Sequence, residues 1–183
     1  MNDLDTARKI AEGDAVAAER LVREHYPSVF RAMRHLTRHR EDAEDLTQQA
    51  FVAARLHIHA YRGSAGLKTW IHRIAFNEYA QWKRRQRPTD PLTFDRPATD
   101  PGYGVVVEGE SLLAALATLS DKQREAFVLH EIEELKVGEV AHVLRVPAGT
   151  VKARLFYARR ALRALLEEDP KEVATHEPQE AVV

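Results

Sequence analysis

Apolar residues fall into two blocks at spacings of three and four. Between the blocks, residues 88 to 107 hold Pro88, Pro91, Pro97, Pro101, Gly102 and Gly104. Proline lacks the amide donor and fixes φ, so a helix cannot pass through that density of prolines. The chain is therefore expected to be all-α, in two small helical domains joined by a flexible linker: 1–87, the linker 88–110, then 111–168, followed by an acidic tail at 169–183. In the first block Val22, Tyr26, Val29, Met33 and Leu36 make one helix face. Gly13-Asp14 ends a shorter pattern containing Ile10 and Ala11, and Pro27 predicts a kink or restart. Arg38 to Arg40 read as a connection. A helix is predicted from near Asp42, with Glu41, Asp42, Glu44 and Asp45 at its positive end and Leu46, Ala50, Ala53 and Ala54 inward. Gly63, Ser64 and Gly66 predict a loop, and a last helix runs from about Thr69 to Arg87. In the second block Leu112, Leu113, Leu116 and Leu119 lead to a cap at Ser120-Asp121, and Phe127, Val128, Ile132 and Leu135 continue the apolar face. Val105 to Val107 are too few to establish a strand, and there is no internal repeat.

The 183 residues are 44% hydrophobic, enough for packed cores. The absence of cysteine excludes disulfides and thiolate metal sites and fits a reducing compartment. No apolar run has the length of a membrane span, and Met1 to Thr6 are polar and acidic, unlike a leader peptide. A soluble, cytoplasmic protein without membrane contact is expected. The formal net charge is −1, but the charges are segregated. Lys83, Arg84, Arg85 and Arg87 form one basic run, and Lys152, Arg154, Arg159, Arg160 and Arg163 another. Charge alone divides evenly between two anion-binding surfaces and two solvated helix faces.

Residues 137 to 144 predict a two-turn helix, Arg145-Val146 a tight turn, and Pro147 the first position of a longer helix. On that helix Val151, Leu155, Ala158, Leu162 and Leu165 share one side. Thr150, Ala153, Tyr157 and Arg160 share the other, flanked by Lys152 and Arg154. A short helix, a tight turn and a helix that is apolar behind and basic in front make a helix-turn-helix. The N-terminal part of its second helix enters a major groove, and Gly149, Thr150 and Ala153 keep that end slim. The same pattern also fits an ordinary amphipathic hairpin. Upstream, Trp70, Arg73, Asn77, Gln81 and Arg84 share one helical face, an arrangement that suits unstacked bases and a strand backbone. Ile71, Ala75, Tyr79 and Trp82 share another, expected to be core. A lone Trp70 is more often a core anchor than a base platform.

Longer strings decide between these readings. Leu119-Ser120-Asp121-Lys122-Gln123-Arg124-Glu125-Ala126-Phe127 and Val146-Pro147-Ala148-Gly149-Thr150-Val151-Lys152-Ala153-Arg154-Leu155 closely resemble region 4 of sigma factors, the second being similar to V-P-x-G-T-V-K-S-R-L. Asp42-Ala43-Glu44-Asp45-Leu46-Thr47-Gln48-Gln49-Ala50-Phe51 resembles the D-A-E-D-L-x-Q-E-x-F string of region 2.2. Tyr61-Arg62-Gly63 and Thr69-Trp70-Ile71-His72-Arg73-Ile74-Ala75-Phe76-Asn77 resemble F-R-G and T-W-L-x-R-I-A-x-N. The resemblance covers about 20–87 and 111–166. With only a short linker between the regions, it points to the extracytoplasmic-function group of the sigma-70 family.

The resemblance implies a factor that binds core RNA polymerase, directs it to promoters and promotes melting. It implies that Ala148, Gly149, Thr150, Lys152, Ala153, Arg154, Tyr157 and Arg160 contact the minus-35 element. Arg62, Ser64, Lys68, Trp70, Arg73, Asn77, Gln81, Lys83, Arg84, Arg85 and Arg87 would serve the minus-ten element. Asp42, Asp45, Leu46, Gln48, Gln49 and Phe51 would dock on the clamp helices of the largest catalytic subunit. An anti-sigma factor is a further implied partner. Departures from the family pattern are Ser120 for proline, Arg145 for glycine in the turn, Lys136-Val137-Gly138 before and within the first helix, and Gln49 for glutamate.

Two other readings compete. A stand-alone helix-turn-helix regulator explains 137–160 but leaves 42–51 and 69–87 without purpose. A metal protein or enzyme is suggested by nine histidines. His35 and His39 lie four apart and His57 and His59 two apart, but no third ligand is placed and no cysteine exists, so neither metal nor cofactor is expected. No nucleophile-base set or glycine-rich phosphate loop is present, so no catalytic residue is assigned.

Overall fold

A computed structural model describes residues 2–86 and 107–168. Arg87, most of the expected linker and the expected acidic tail lie outside the described residues. Among the described residues the chain forms eight α-helices: α1 Asp3–Ala11, α2 Ala15–Thr37, α3 Arg40–His57, α4 Leu67–Gln86, α5 Val107–Ala117, α6 Asp121–Phe127, α7 Val137–Leu144 and α8 Ala148–Glu168. A 3₁₀ turn, Ile58–Ala60, follows α3, and a π-helical turn, Val128–Ile132, follows α6.

The boundaries follow from local chemistry. Asn2 accepts from the Asp5 amide to start α1, and Asp14 accepts from the Ala17 amide to start α2. Gly13, at φ +95°, makes the bend between them. Helix α2 passes through Pro27 without the expected restart. Pro27 and Arg23, whose carbonyl loses its intrahelical donor, both lie on the exposed side, where that carbonyl is open to solvent and needs no protein partner. Arg38 adopts the left-handed conformation (φ 64°) and ends α2, and α3 begins at Arg40, two residues before the expected start.

Helices α2, α3 and α4 pack around Val29, Met33, Leu36, Leu46, Ala50, Ile71 and Ala75. The alanines that α3 turns inward, Ala43, Ala50 and Ala54, allow close approach. Ala126, Leu129, Val140, Val143, Val151 and Leu155 form a second core among α6, α7 and α8. The two halves are not separate in space. Leu116, Leu119, Val128 and Ala158 belong to the same apolar cluster as the N-terminal bundle, and α7 lies against α4 while the π turn lies against α2.

Helix α4 receives its cap from a distance. Gly66 precedes it and has no side chain to offer the first amides. The Asp3 carboxylate instead accepts from the Leu67 amide at 2.8 Å. Next to it, Leu4 packs on Gly63, where a Cβ would come within 3.1 Å of the leucine and φ is +70°. The Tyr61 hydroxyl donates to the Ala65 carbonyl at 2.7 Å, so the whole 61–67 turn is held. Replacing Asp3 by alanine is expected to cost about 1 kcal/mol, and by asparagine, which keeps an acceptor, only a few tenths. Equal losses in urea denaturation of the two variants would count against the cap. Gly138 is exposed in the first turn of α7, and a Cβ there meets nothing within 4 Å. Gly138→Ala is expected to raise stability by up to about 1 kcal/mol, and an unchanged or lower denaturation midpoint would show that the glycine serves the backbone.

Candidate DNA and polymerase contact surfaces

The turn between α7 and α8 is built on an arginine. Arg145 takes the left-handed conformation (φ 55°, ψ 45°), the position at which glycine is easiest. The Val146 amide closes the turn on the Ala141 carbonyl, and the Pro147 carbonyl accepts from Thr150 and Val151. Val151, Leu155 and Ala158 face the core, with Leu162 and Leu165 partly covered. Ala148, Gly149, Lys152, Ala153, Tyr157 and Arg160 are exposed, and Thr150 and Arg154 are half-buried beside them. The predicted slim, basic front of α8 is therefore assembled on one side. Arg159, by contrast, is tied to Glu131 (2.5 Å). Phe156, exposed and edge-on to Tyr157 with ring centroids 5.4 Å apart, extends this surface. The sequence reading missed it, although Lys152, Phe156 and Arg163 form a stripe at helical spacing.

On α3 the docking set divides. Asp45, Gln48 and Gln49 are exposed and Asp42 is half-buried. Leu46 and Phe51 point the other way: Leu46 is in the core, and Phe51 stacks on Tyr26 with centroids 5.8 Å apart. These two are corrected from surface contacts to residues that hold α3 on α2. The exposed stripe instead continues through Val52 (62% exposed) and Leu56 (66%), at spacings of three and four from Gln49. Their exposure beside an acidic turn was not anticipated, because alanine-rich helices leave the inward side poorly marked.

The predicted strand-capture set is scattered between open and covered positions. Arg62 and Ser64 are exposed on the loop, with Arg62 donating to the His59 carbonyl, and Gln81, Arg84 and Arg85 are exposed along α4. Asn77 is half-buried. Trp70 is 7% exposed and meets Tyr61 edge-on at 5.5 Å, so it is a core anchor here and not an open platform. The three other cations of this set face the C-terminal half. Lys68 donates to the Glu133 carbonyl at 2.5 Å. Arg73 lies 2.9 Å from His142 Nε2. Lys83 bridges Asp121 (2.7 Å) and Glu125 (3.0 Å). Burial works against the charge on Lys83, but these two carboxylates outweigh it and hold its pKa above the usual value.

At the centre of this contact lies Glu133, completely buried. Arg31 reaches it through Nε at 2.8 Å and Nη2 at 3.1 Å, and the Ser28 hydroxyl donates to its second oxygen. The hydrogen bond to Glu133 raises the Arg31 pKa. Burial lowers the His72 pKa to about 4, only partly opposed by Glu133, so the ring is neutral near pH 7. Since Ser28 spends its one hydrogen on Glu133, His72 Nε2, 2.9 Å from the Ser28 oxygen, carries the proton and donates. Nearby, Thr69 donates to Glu139 at 2.5 Å, which lowers that carboxyl's pKa. None of these pairings was foreseen from the sequence, as the partners lie from 38 residues apart (Lys83 and Asp121) to 105 (Ser28 and Glu133).

No helix of the described residues is long and apolar enough to cross a membrane, and no cluster of potential metal ligands occurs among them.

Comparison with known proteins agrees with both halves of this geometry. Residues 21–89 match the family model "Sigma-70 region 2" and residues 109–162 match "Sigma-70, region 4". Among curated relatives, the ECF RNA polymerase sigma factor SigE of Mycolicibacterium smegmatis is 34% identical over 176 residues, covering 90% of this chain and 68% of that protein. SigM of Mycobacterium tuberculosis H37Rv is 33% identical over 156 residues, covering 84% and 79%. Among solved structures, CnrH in complex with the cytosolic domain of CnrY superposes with a TM-score of 0.72 at 27% identity, covering 91% of this chain and 98% of that one. The sigma factor RpoE in complex with the anti-sigma factor NepR from Bartonella quintana gives 0.70 at 28% identity, covering 82% and 97%. The helical chain with its helix-turn-helix belongs to the sigma-70 family of RNA polymerase sigma factors, in the extracytoplasmic-function group.

Proposed function

We propose that this sigma factor works in the cytoplasm by docking on core RNA polymerase through the exposed stripe of α3, reading the minus-35 element with the front of α8, and capturing the melted minus-ten strand with the 62–87 segment. The observation that carries the reading is the α8 surface. Small residues at its N-terminal end let the backbone approach base edges, while Lys152, Arg154 and Arg160 are placed for phosphates. The acidic and apolar stripe Asp45, Gln49, Val52 and Leu56 supports a protein partner there, because DNA would be repelled by its charge. Splitting recognition between two linked readers makes promoter choice depend on their spacing, since the second contact becomes effectively intramolecular. Bond-making chemistry belongs to the polymerase. The likeness to CnrH with CnrY and to RpoE with NepR supports an anti-sigma factor as the regulatory partner. A stand-alone regulator would leave the α3 stripe unused.

The test is run-off transcription with core polymerase on a library of genomic fragments. Initiation at discrete start sites is expected, and none from any fragment would overturn the reading. Asp45→Arg and Val52→Glu change exposed side chains and are expected to weaken core binding about tenfold or more while leaving the far-ultraviolet spectrum unchanged. Normal core binding by both would remove the stripe from the docking site. Lys152→Gln is expected to weaken promoter binding by the holoenzyme and to lower the slope of log affinity against log salt by about 1. An unchanged slope would move that phosphate contact elsewhere.

A further inference from the structure

We infer that the first turn of α1 sets the minus-ten sequence preference of this factor, with Asp3 and Leu4 as positioning residues that hold the 62–67 loop in its base-reading shape. The inference rests on that loop being part of the minus-ten reader, as proposed above. Both residues lie outside the matched span of region 2, which begins at residue 21. The loop needs a hold from elsewhere in the chain. Gly63 and Gly66 leave its backbone few steric restraints, and Arg62, Gly63, Ser64 and Gly66 are all exposed. Helix α4 begins at Leu67, and Gly66 before it has no capping side chain. The Asp3 carboxylate stands in that place. It accepts from the Leu67 amide at 2.8 Å, and its Oδ2 lies 3.5 Å from where a Cβ on Gly66 would be. One carboxylate thus serves the positive ends of two helices, the first turn of α1 and the start of α4.

Asp3 fixes the end of the loop, and other contacts fix its middle and its start. Leu4 covers the middle: its Cγ and Cδ2 lie 3.1 Å from the position a Cβ on Gly63 would take, where φ is +70°. The Tyr61 hydroxyl donates to the Ala65 carbonyl at 2.7 Å, and Arg62 donates back to the His59 carbonyl at 2.9 Å. Ser64 is left at the exposed tip. Helix α1 is itself firmly seated. Asn2 accepts from the Asp5 amide and, through its carbonyl, from the Thr6 hydroxyl, while Thr6, Ala7 and Ile10 are buried. Leu4 is 51% exposed, so it adds little to the core, and what it covers is Gly63. A reader that holds its base-competent shape a tenth of the time binds its own sequence about tenfold more weakly. Sequences held through phosphates alone lose nothing, since those contacts carry no base information. Loosening the loop therefore erodes preference before it erodes binding.

The test is run-off transcription by the holoenzyme from a pooled promoter set, built on a start site found with genomic fragments and randomised in the minus-ten and minus-35 elements. Preference within one pool is a ratio, so it does not depend on how much of a variant is folded or bound to core. Asp3→Ala and Leu4→Ala are each expected to flatten the minus-ten preference several-fold and to leave the minus-35 preference unchanged. Asp3→Asn keeps the acceptor and is expected to retain both preferences. Unchanged minus-ten preference in either alanine variant removes that residue from the hold, and in both it overturns the inference. Equal flattening at the two elements, or flattening by asparagine as strong as by alanine, also overturns it. A second measurement uses the free full-length chain and no polymerase. Asp3→Ala is expected to speed hydrogen exchange of the Leu67 amide and its 61–66 neighbours several-fold while α7 and α8 keep their rates. A uniform rise through the chain would assign Asp3 to global stability alone and overturn the inference. Failure of the underlying reading shows differently: an unaltered chain that initiates nowhere removes the sigma assignment, and one that initiates without minus-ten preference removes the loop as a reader.

Discussion

A carboxylate with no access to water must be satisfied by protein, and Glu133 is in that position. An unpaired buried charge would cost several kcal/mol even after relaxation, so its partners are obligatory in this state. Arg31 and Ser28 supply three hydrogen bonds, from one helix of the opposite half. Around it the backbone departs from regular structure. The preceding turn is π-helical, the Glu133 amide bonds back to Val128, and Glu134 takes a left-handed conformation. That sequence of departures turns the chain from α6 into α7 and brings Glu139 to Thr69. One acidic side chain is thus central to the placement of the helix-turn-helix relative to the N-terminal bundle, beside the apolar contacts and the Lys83 pairs. π turns tend to occur where a side chain must be re-aimed, and this one delivers Glu133 to the interface.

The interface mixes two kinds of contact with different consequences. Its apolar part is non-directional and grows with area. Its polar part is directional and exchangeable, since each cation can be satisfied by water or another anion. His72 adds a constraint of its own. Buried and neutral, it donates through Ser28 toward the Glu133 carboxylate, while its Nδ1 lacks a hydrogen-bond partner. The contact therefore specifies one register of the two halves, because sliding by a residue would leave Glu133 and Arg31 without each other.

What was legible in the sequence was whatever a single helix encodes by itself. The α7 and α8 spans, the core side of α8 with Val151, Leu155 and Ala158, and the cap at Ser120 follow from period and local chemistry. The family strings located region 2 and region 4 together. The misreadings came from tertiary context. Pro27 is accommodated because its side of α2 faces solvent. Leu46 and Phe51 sit inside a family string read for polymerase contact, but both are buried, and Phe51 packs on Tyr26 of α2. Trp70 follows the more common fate of a tryptophan on an amphipathic helix. Asp3, capping a helix 64 residues downstream, and Glu133 are illegible locally, because nothing near them in the chain shows what they bind.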